Sequence, residues 1–193
     1  MTTREEQKRL TRQRLIAVAL EQFALRGITA TRTVDVARSA GVAHGTVFAH
    51  FPTRDDLVTA VIEAFADQVI GRLNELNDRG AGVREVLAAH LEGLIEHEAL
   101  YARLVMEGPI LPSGARTTML AIQSVVSHHL YAAAEKDWER AELRRMPQHL
   151  LFNTWLGLIH HYLVNQELFA PNESALARHG QELLEHYMGL LAP

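Results

Sequence analysis

Apolar residues recur every three to four positions along almost the whole chain, and no stretch alternates between polar and apolar residues as a half-buried strand does. In the first predicted helix, over residues 4–26, Ile16, Ala19, Leu20 and Phe23 fall on one face. Gly27 follows, and glycine takes the left-handed conformation that commonly ends a helix. The pattern predicts an all-α protein of about nine helices.

The segment from Thr33 to Leu57 differs from the rest because two of its predicted helices are short. The first covers residues 33–40, with Thr31 expected as its N-cap, and the second covers residues 44–50. Gly41 makes the turn between them. Two short helices joined by a glycine turn are typical of the helix-turn-helix, which places its second helix in the major groove of DNA.

A longer helix follows this segment. Pro52 ends the preceding helix, and Thr53 with Asp56 three residues later has the spacing of a capping box. The apolar period then continues to about Asn77, and this helix is expected to connect the two predicted domains. These domains are a helix-turn-helix domain over 1–53 and an effector-binding and dimerisation domain over 54–193. The latter's other predicted helices cover 83–97, 99–107, 116–141, 147–169 and 172–191.

Charge is divided unevenly between the two ends of the chain. The 193 residues carry a net charge of −4, but residues 1–55 carry +4 and residues 56–193 carry −8. A basic N-terminal part attached to an acidic remainder is expected where only the first part meets a polyanion. The sequence contains no cysteine, no apolar run long enough to span a membrane and no apolar signal core, so we expect a soluble, cytoplasmic protein.

The string GVAHGTVFAHFPTRDDL, at 41–57, carries a family resemblance. It resembles the N-terminal signature of TetR-family transcription regulators, typically Gly-Val-Ser-Lys-Gly-Thr-Leu-Tyr-x-His-Phe-x-Ser-Lys-x-x-Leu. The preceding DVARSAG resembles the Asp-Ile-Ala-x-x-Ala-Gly of the same family, and the likeness covers roughly residues 10–58. It implies a homodimeric regulator, most simply a repressor, that binds a palindromic operator and is released by a small-molecule effector.

The expected DNA contacts lie along the predicted helix over 44–50 and at the starts of the helices before and after it. A glycine allows close approach of a phosphate, hydroxyl and imidazole groups bond phosphates or base edges, and free N–H groups at a helix start favour phosphate. On these grounds and on the resemblance, the candidate DNA-binding residues are Arg32, Thr33, Val34, His44, Gly45, Thr46, Phe48, His50 and Arg54.

Several of these positions depart from the family signature. Ala43 replaces a serine, which removes an N-cap that contributes roughly 1 kcal/mol. His44 replaces a lysine, Phe48 replaces a tyrosine, and Val34 replaces a polar residue. The changes predict modest non-specific affinity and a larger share of recognition from shape and from apolar contact, including contact with thymine methyl groups.

The predicted second domain offers candidates for an effector pocket and a dimer interface. Apolar walls are expected from Tyr101, Met106, Phe152 and Trp155. The last two helices are apolar around much of their surface, and they resemble the four-helix dimer bundle of the TetR family. The partners implied are therefore a double-stranded DNA operator, an unidentified effector and a second copy of this chain.

Two other classes of function stay open at this point. One is a small-molecule binding protein whose helix-turn-helix has lost DNA binding, and the other is an all-helical enzyme that uses buried histidines and carboxylates. No phosphate loop, nucleophile elbow or His-Glu-x-x-His motif occurs, so the sequence favours a protein that is not an enzyme and has no cofactor. The histidines of the second domain have no metal-ligand spacing within one helix, and no metal site is predicted.

Overall fold

The computed structural model describes residues 3–193, apart from the side chain of Asn77. It is all-helical, and within this range no residue forms a strand. A 3₁₀ turn covers Gly108–Ile110. The α-helices are α1 (Thr3–Arg26), α2 (Thr33–Ser39), α3 (His44–His50), α4 (Arg54–Asp78), α5 (Val83–Glu96), α6 (Glu98–Glu107), α7 (Ser113–Glu139), α8 (Gln148–Val164), α9 (Gln166–Phe169) and α10 (Ala175–Leu191).

Most helix ends lie where the local sequence predicts them. Gly27 ends α1 with a φ of +93°, and Gly41 takes a φ of +66° in the turn after α2. The capping box at α4 is confirmed, because the Asp56 carboxylate accepts from the Thr53 N–H at 2.9 Å and the Thr53 hydroxyl accepts from the Asp56 N–H at 3.1 Å.

The prediction that Thr31 is the N-cap of α2 is wrong. Arg32 is the N-cap residue, and its side chain makes no capping hydrogen bond. Thr31 is buried, and its hydroxyl donates to the carbonyl of Gly27 at 2.7 Å. The hydroxyl therefore points back to the end of α1, where it closes the loop between the two helices.

The predicted helix over 147–169 is divided in the structure into α8 and α9. Asn165 leaves the helical conformation, with φ −108° and ψ 30°, and its side-chain amide donates to the carbonyl of His161 at 2.8 Å. Asparagine competes in this way for helical carbonyls, which explains the break. The last helix begins at Ala175 rather than near 172, because Asn172 is left-handed at φ +61° and Ser174 caps the Ala177 N–H at 2.9 Å.

The chain forms two compact units. The first contains residues up to 65 together with 99–119, so α6 and the start of α7 pack with the helix-turn-helix. Its core includes Leu15, Phe23, Ile28, Val47 and Phe51. These units are defined by packing, and the functional boundary between 53 and 54 stays a prediction.

The second unit contains residues 66–98 and 120–193, and in it α10 packs against α5 and α8. Trp155 and Tyr187 are fully buried with ring centroids 5.5 Å apart. The buried Glu98 carboxylate accepts from the first N–H groups of α10, at Ala175 (2.8 Å) and Leu176 (3.1 Å). None of the helices in the described range is long and apolar enough to cross a membrane.

Candidate nucleic-acid interface

Helices α2 and α3 are held by a small apolar core that leaves one side of each helix exposed. Val36 and Ala37 of α2 and Val47 of α3 are buried, as is Phe51 directly after α3. The turn closes when the N–H of Val42 donates to the carbonyl of Ala37 at 3.0 Å. Since both helices are only seven residues long, this core and the left-handed Gly41 fix the angle between them.

The outward side of α3 carries four of the predicted contacts. His44 and Gly45 are exposed, Thr46 is half-buried, and 42% of Phe48 is exposed. A Cβ added at Gly45 would meet no atom within 4 Å, so this glycine leaves open space at the surface. Three further predicted contacts lie at the start of α2: the exposed Arg32 is its N-cap, and the half-buried Thr33 and partly exposed Val34 are its first two residues.

A hydrogen bond joins the first residues of these two helices. The Thr33 hydroxyl lies 3.0 Å from Nε2 of His44, and the edge of the His44 ring meets the Phe48 ring with centroids 5.1 Å apart. Sequence spacing alone does not predict this contact, because the two residues are eleven positions apart and belong to different helices.

His50, at the end of α3, lies among basic groups of α1. Burial lowers the pKa of its imidazole, and the positive charges of Lys8 and Arg12 lower it further. Nδ1 of His50 is buried and has no hydrogen-bond partner among the described residues. The Arg12 guanidinium lies 4.9 Å from the centre of the Phe51 ring. Lys8 and Arg12 are therefore further candidate phosphate contacts, and the sequence indicated them only through the net positive charge of residues 1–55.

Arg54 has a more internal position than the other predicted contacts. Its guanidinium donates to the carbonyl of Thr31 at 3.3 Å and to that of Ile28. Helix α6 also stabilises this loop. The Glu107 carboxylate accepts hydrogen bonds from the N–H groups of Ile28 at 3.0 Å and Thr29 at 2.7 Å. The Arg54 side chain thus braces the loop before α2, and a phosphate contact at this residue would come from its backbone N–H.

Helices α2 and α3 fall inside a match to a known family. The sequence profile of bacterial regulatory proteins of the tetR family matches residues 15–61, from the buried part of α1 to the second turn of α4. Over this segment the chain is similar to TetR-family regulators. The match covers the helix-turn-helix and leaves the whole of the second unit outside.

Curated TetR-family relatives share part of their length with this chain. The transcriptional repressor KstR2 of Rhodococcus jostii is 32% identical over 78 residues, which are 40% of this chain and 38% of KstR2. The transcriptional regulator LuxR of Vibrio harveyi is 39% identical over 85 residues, which are 44% of this chain and 42% of LuxR. The chain therefore covers about two fifths of the length of these relatives.

Solved structures show that the TetR-family fold extends over nearly the whole chain. A TetR-family regulator from Agrobacterium tumefaciens aligns with a TM-score of 0.79 at 16% identity, covering 96% of this chain and 100% of the other. Reduced NemR of Escherichia coli aligns at 0.74 with 22% identity and coverages of 94% and 97%. FadR of Bacillus subtilis, solved in complex with stearoyl-CoA, aligns at 0.73 with 20% identity and coverages of 91% and 97%. At these identities the likeness shows the fold alone.

The four residues predicted to line an effector pocket lie in different units. Tyr101 and Met106 belong to α6 in the first unit, where Tyr101 packs against Phe65 with ring centroids 6.0 Å apart and 45% of Met106 is exposed. Phe152 and Trp155 belong to α8 in the second unit. A single pocket lined by all four stays a prediction.

Trp155 has a hydrogen-bond partner inside the second unit. Its indole N–H donates to Nδ1 of His90 at 3.1 Å, and both side chains are buried. Burial, and secondarily the nearby His160, lowers the pKa of His90 to about 4. His90 is therefore neutral at physiological pH and acts as an internal acceptor.

An open cleft of about 430 Å³ lies between α7 and α8 in the second unit, and Phe152 forms part of its wall. Apart from Leu120 and Phe152 its lining is polar but carries no carboxylate, lysine or arginine: Gln123, Ser124, Ser127, Gln148, His149 and Asn153. Among residues 3–193, no group of three or more histidine, aspartate or glutamate side chains is arranged to hold a metal ion.

Proposed function

We propose that this protein is a ligand-responsive transcriptional repressor that binds a palindromic operator as a homodimer. One observation carries the proposal: α3 is anchored by Val47 and Phe51, while His44, Gly45 and Phe48 are left facing outward on a helix that lies within the family match. A short helix that buries one side against a second short helix and exposes the other has the geometry for major-groove binding. KstR2, the partial relative described above, is itself a transcriptional repressor.

The exposed residues divide between phosphate and base contacts. Gly45 allows backbone approach to a phosphate, and Thr46 and His44 supply groups for base edges or phosphates. Arg32 before α2, His50 at the end of α3, and Lys8 and Arg12 of α1 would contact the flanking backbone. Val34 and Phe48 are apolar and suit a thymine methyl group.

Dimerisation would use the outward sides of α8 and α10. Most of the apolar residues predicted there, including Leu151, Trp155 and Ile159, are buried within the unit, but Leu150, Val164 and Leu190 are about half exposed. Gly157 has open space above its Cα, which would let a second helix approach closely. A twofold dimer places two copies of α3 on two half-sites, so a palindrome follows from the symmetry.

A substitution at Gly157 tests this interface without disturbing the isolated chain. A Cβ added at this position would meet no atom within 4 Å, so Gly157→Gln should fold normally but keep two helices apart. Sedimentation velocity should show a dimer for the parent chain and a monomer for this variant. Gly71→Gln on α4, which also meets open space, is the matched control and should stay dimeric. A dimeric Gly157→Gln would place the interface elsewhere.

Effector binding is proposed for the second unit, with Phe152 at the cleft as the first candidate contact. FadR of Bacillus subtilis, which shares the fold, binds stearoyl-CoA, and this supports an organic effector held by the helical domain. The effector would favour a conformation that does not match the spacing of the half-sites and would thereby release the operator. Such a protein acts in the cytoplasm and needs neither a catalytic group nor a cofactor.

Selection of random duplex DNA by the purified protein tests the proposal most directly. Recovery of a palindrome, with half-sites about one helical turn apart, is the expected result. The same selection with Thr46→Glu defines the background, because a carboxylate on α3 repels phosphate. Failure to enrich any sequence even at low salt would favour the alternative of a small-molecule binding protein. The cleft lined without carboxylate, lysine or arginine agrees with that alternative, as does the replacement of a signature lysine by His44.

A further inference from the structure

The first residues of α2 and α3 hold one another through their side chains. The Thr33 hydroxyl bonds Nε2 of His44 at 3.0 Å, and Phe48, one turn further along α3, packs against the same imidazole at a centroid distance of 5.1 Å and an interplanar angle of 64°. The His44 ring is therefore held from two sides although the residue is exposed.

This arrangement does little for the stability of the fold, because none of the three side chains belongs to the buried core. A hydrogen bond between solvent-accessible groups replaces bonds to water and contributes little net free energy. Its main consequence is that an otherwise mobile side chain has one orientation before DNA arrives. Ordering a side chain at an interface costs binding free energy, so a side chain ordered in advance binds more tightly and more selectively.

The chemistry of imidazole makes this orientation informative for base recognition. A neutral imidazole has one nitrogen that donates and one that accepts. Nε2 of His44 is hydrogen-bonded to Thr33, so Nδ1 is the nitrogen left for DNA. Whether Nδ1 donates or accepts is set by the direction of the bond at Nε2. A lysine at this position, as in the signature that the sequence resembles, would be a freely turning charge that bonds any acceptor.

We propose that Thr33 is a positioning residue which, together with Phe48, orients His44 so that His44 discriminates between bases in the operator. The proposal rests on the proposed function. It differs from a direct role for Thr33 at a phosphate, which would add affinity for every sequence alike.

The test compares a selected operator with a random duplex of the same length by fluorescence anisotropy. Thr33→Val keeps the shape of the side chain and removes the hydroxyl, whereas Thr33→Ser keeps the hydroxyl. We expect Thr33→Val to weaken operator binding about fivefold to tenfold and to leave the random duplex unchanged. Thr33→Ser should bind like the parent chain. Equal weakening on both duplexes would show a phosphate contact and overturn the proposal.

A double-mutant cycle tests whether Thr33 acts through His44. In the His44→Ala background the hydroxyl has nothing to orient, so adding Thr33→Val should change operator affinity by less than twofold. Fully additive losses would contradict the proposal. Thermal unfolding followed by circular dichroism confirms that each variant is folded.

A measurement without DNA separates this inference from the proposed function. In ¹⁵N-labelled protein, the ring nitrogens of His44 should report one dominant tautomer, and Thr33→Val should shift the ring towards the mixture found in a free imidazole. No change in the His44 ring signals would overturn the orientation by Thr33, whether or not the protein selects a DNA sequence. An enriched operator together with unchanged ring signals would leave the proposed function in place and remove only this inference.

Discussion

The helix-turn-helix and the second unit use their polar side chains in opposite ways. Around α2 and α3, the side chains of Arg32 and His44 face solvent. In the second unit, His90, Glu98 and Asp137 are buried, and each is hydrogen-bonded to another part of the same unit. The first group has hydrogen-bonding atoms open to solvent, whereas the second group forms its hydrogen bonds within the fold.

Under the proposed function, this difference accounts for the family match over residues 15–61. DNA presents every TetR-family protein with the same phosphates and base edges, so the surface that meets it has few solutions. A buried polar pair such as Trp155 and His90 only has to form its own hydrogen bond, and many other residue pairs can meet that requirement. The comparison predicts that substitutions on the outward side of α3 change DNA binding and leave the free energy of unfolding the same. Substitutions of the buried polar groups should lower the free energy of unfolding and leave DNA binding the same.

The largest effect is expected for Thr46→Glu on the outward side of α3. The substitution removes a hydroxyl contact and sets a carboxylate against phosphate at both half-sites, at roughly 2 kcal/mol each. Operator affinity should fall about a thousandfold, or ~4 kcal/mol, in an anisotropy titration. Thr117→Glu, at an exposed position of α7, makes the same charge change and should bind the operator almost normally. Unaltered binding by Thr46→Glu would remove α3 from the interface.

Glu98→Ala should produce the converse result. The Glu98 carboxylate accepts from Ser174 and from the first two N–H groups of α10, and all would lose a charged acceptor in a buried site. We expect the free energy of unfolding in urea to fall by about 3 kcal/mol. Glu96→Ala breaks only the exposed ion pair with Arg72 and should cost less than about 1 kcal/mol. Equal losses in the two variants would contradict the special role of the buried carboxylate.

The fold and much of the candidate interface follow from sequence because their causes are local. The all-α class is confirmed, and the bounds of α3, the capping box at Thr53 and the left-handed Gly27 lie where residue types predict them. Each depends on residues within four positions of one another. The breaks at Asn165 and Asn172 are also local, but asparagine occurs in helices often enough that its presence does not predict a break.

The contacts that the sequence does not predict join distant positions. Glu107 bonds Ile28 and Thr29 across almost eighty residues, and Glu98 caps a helix that begins at Ala175. Periodicity identifies which face of a helix is buried but not which partner it meets. The effector residues depend entirely on such long-range packing, which is why that site stays a prediction while the helix-turn-helix was identified from its own segment.

His90 should make the second unit sensitive to acid. Its pKa is about 4 in the folded chain, against about 6.5 in an unfolded chain, so the unfolded state binds the proton more readily. The stabilisation is complete above pH 6.5 and is lost as the pH falls towards 4. Between pH 7 and pH 5 this one group should remove about 2 kcal/mol from the free energy of unfolding.

The pH dependence is isolated by comparing two glutamine variants in urea unfolding at pH 7 and pH 5. His90→Gln keeps an acceptor for the Trp155 indole but cannot take up a proton. Between pH 7 and pH 5 its free energy of unfolding should therefore fall by about 2 kcal/mol less than that of the parent chain. His128→Gln, at an exposed position of α7, should follow the parent chain. Identical acid sensitivity in all three proteins would mean that His90 is not the responsible group.

The smallest expected effect returns to the helix-turn-helix and reverses its departure from the signature. Ala43 is the N-cap of α3 with an extended backbone, φ −66° and ψ 145°, and it makes no side-chain capping bond. A serine accepts from an N–H of the first turn in this conformation, so Ala43→Ser should stabilise the chain by about 1 kcal/mol. Ala49→Ser lies inside the same helix and should cost about 0.5 kcal/mol, because serine is a poorer helix former than alanine. A stabilised α3 that binds its operator no more tightly would show that this helix is already ordered before it meets DNA. Tighter binding in step with stability would instead show that folding of α3 is completed on the DNA.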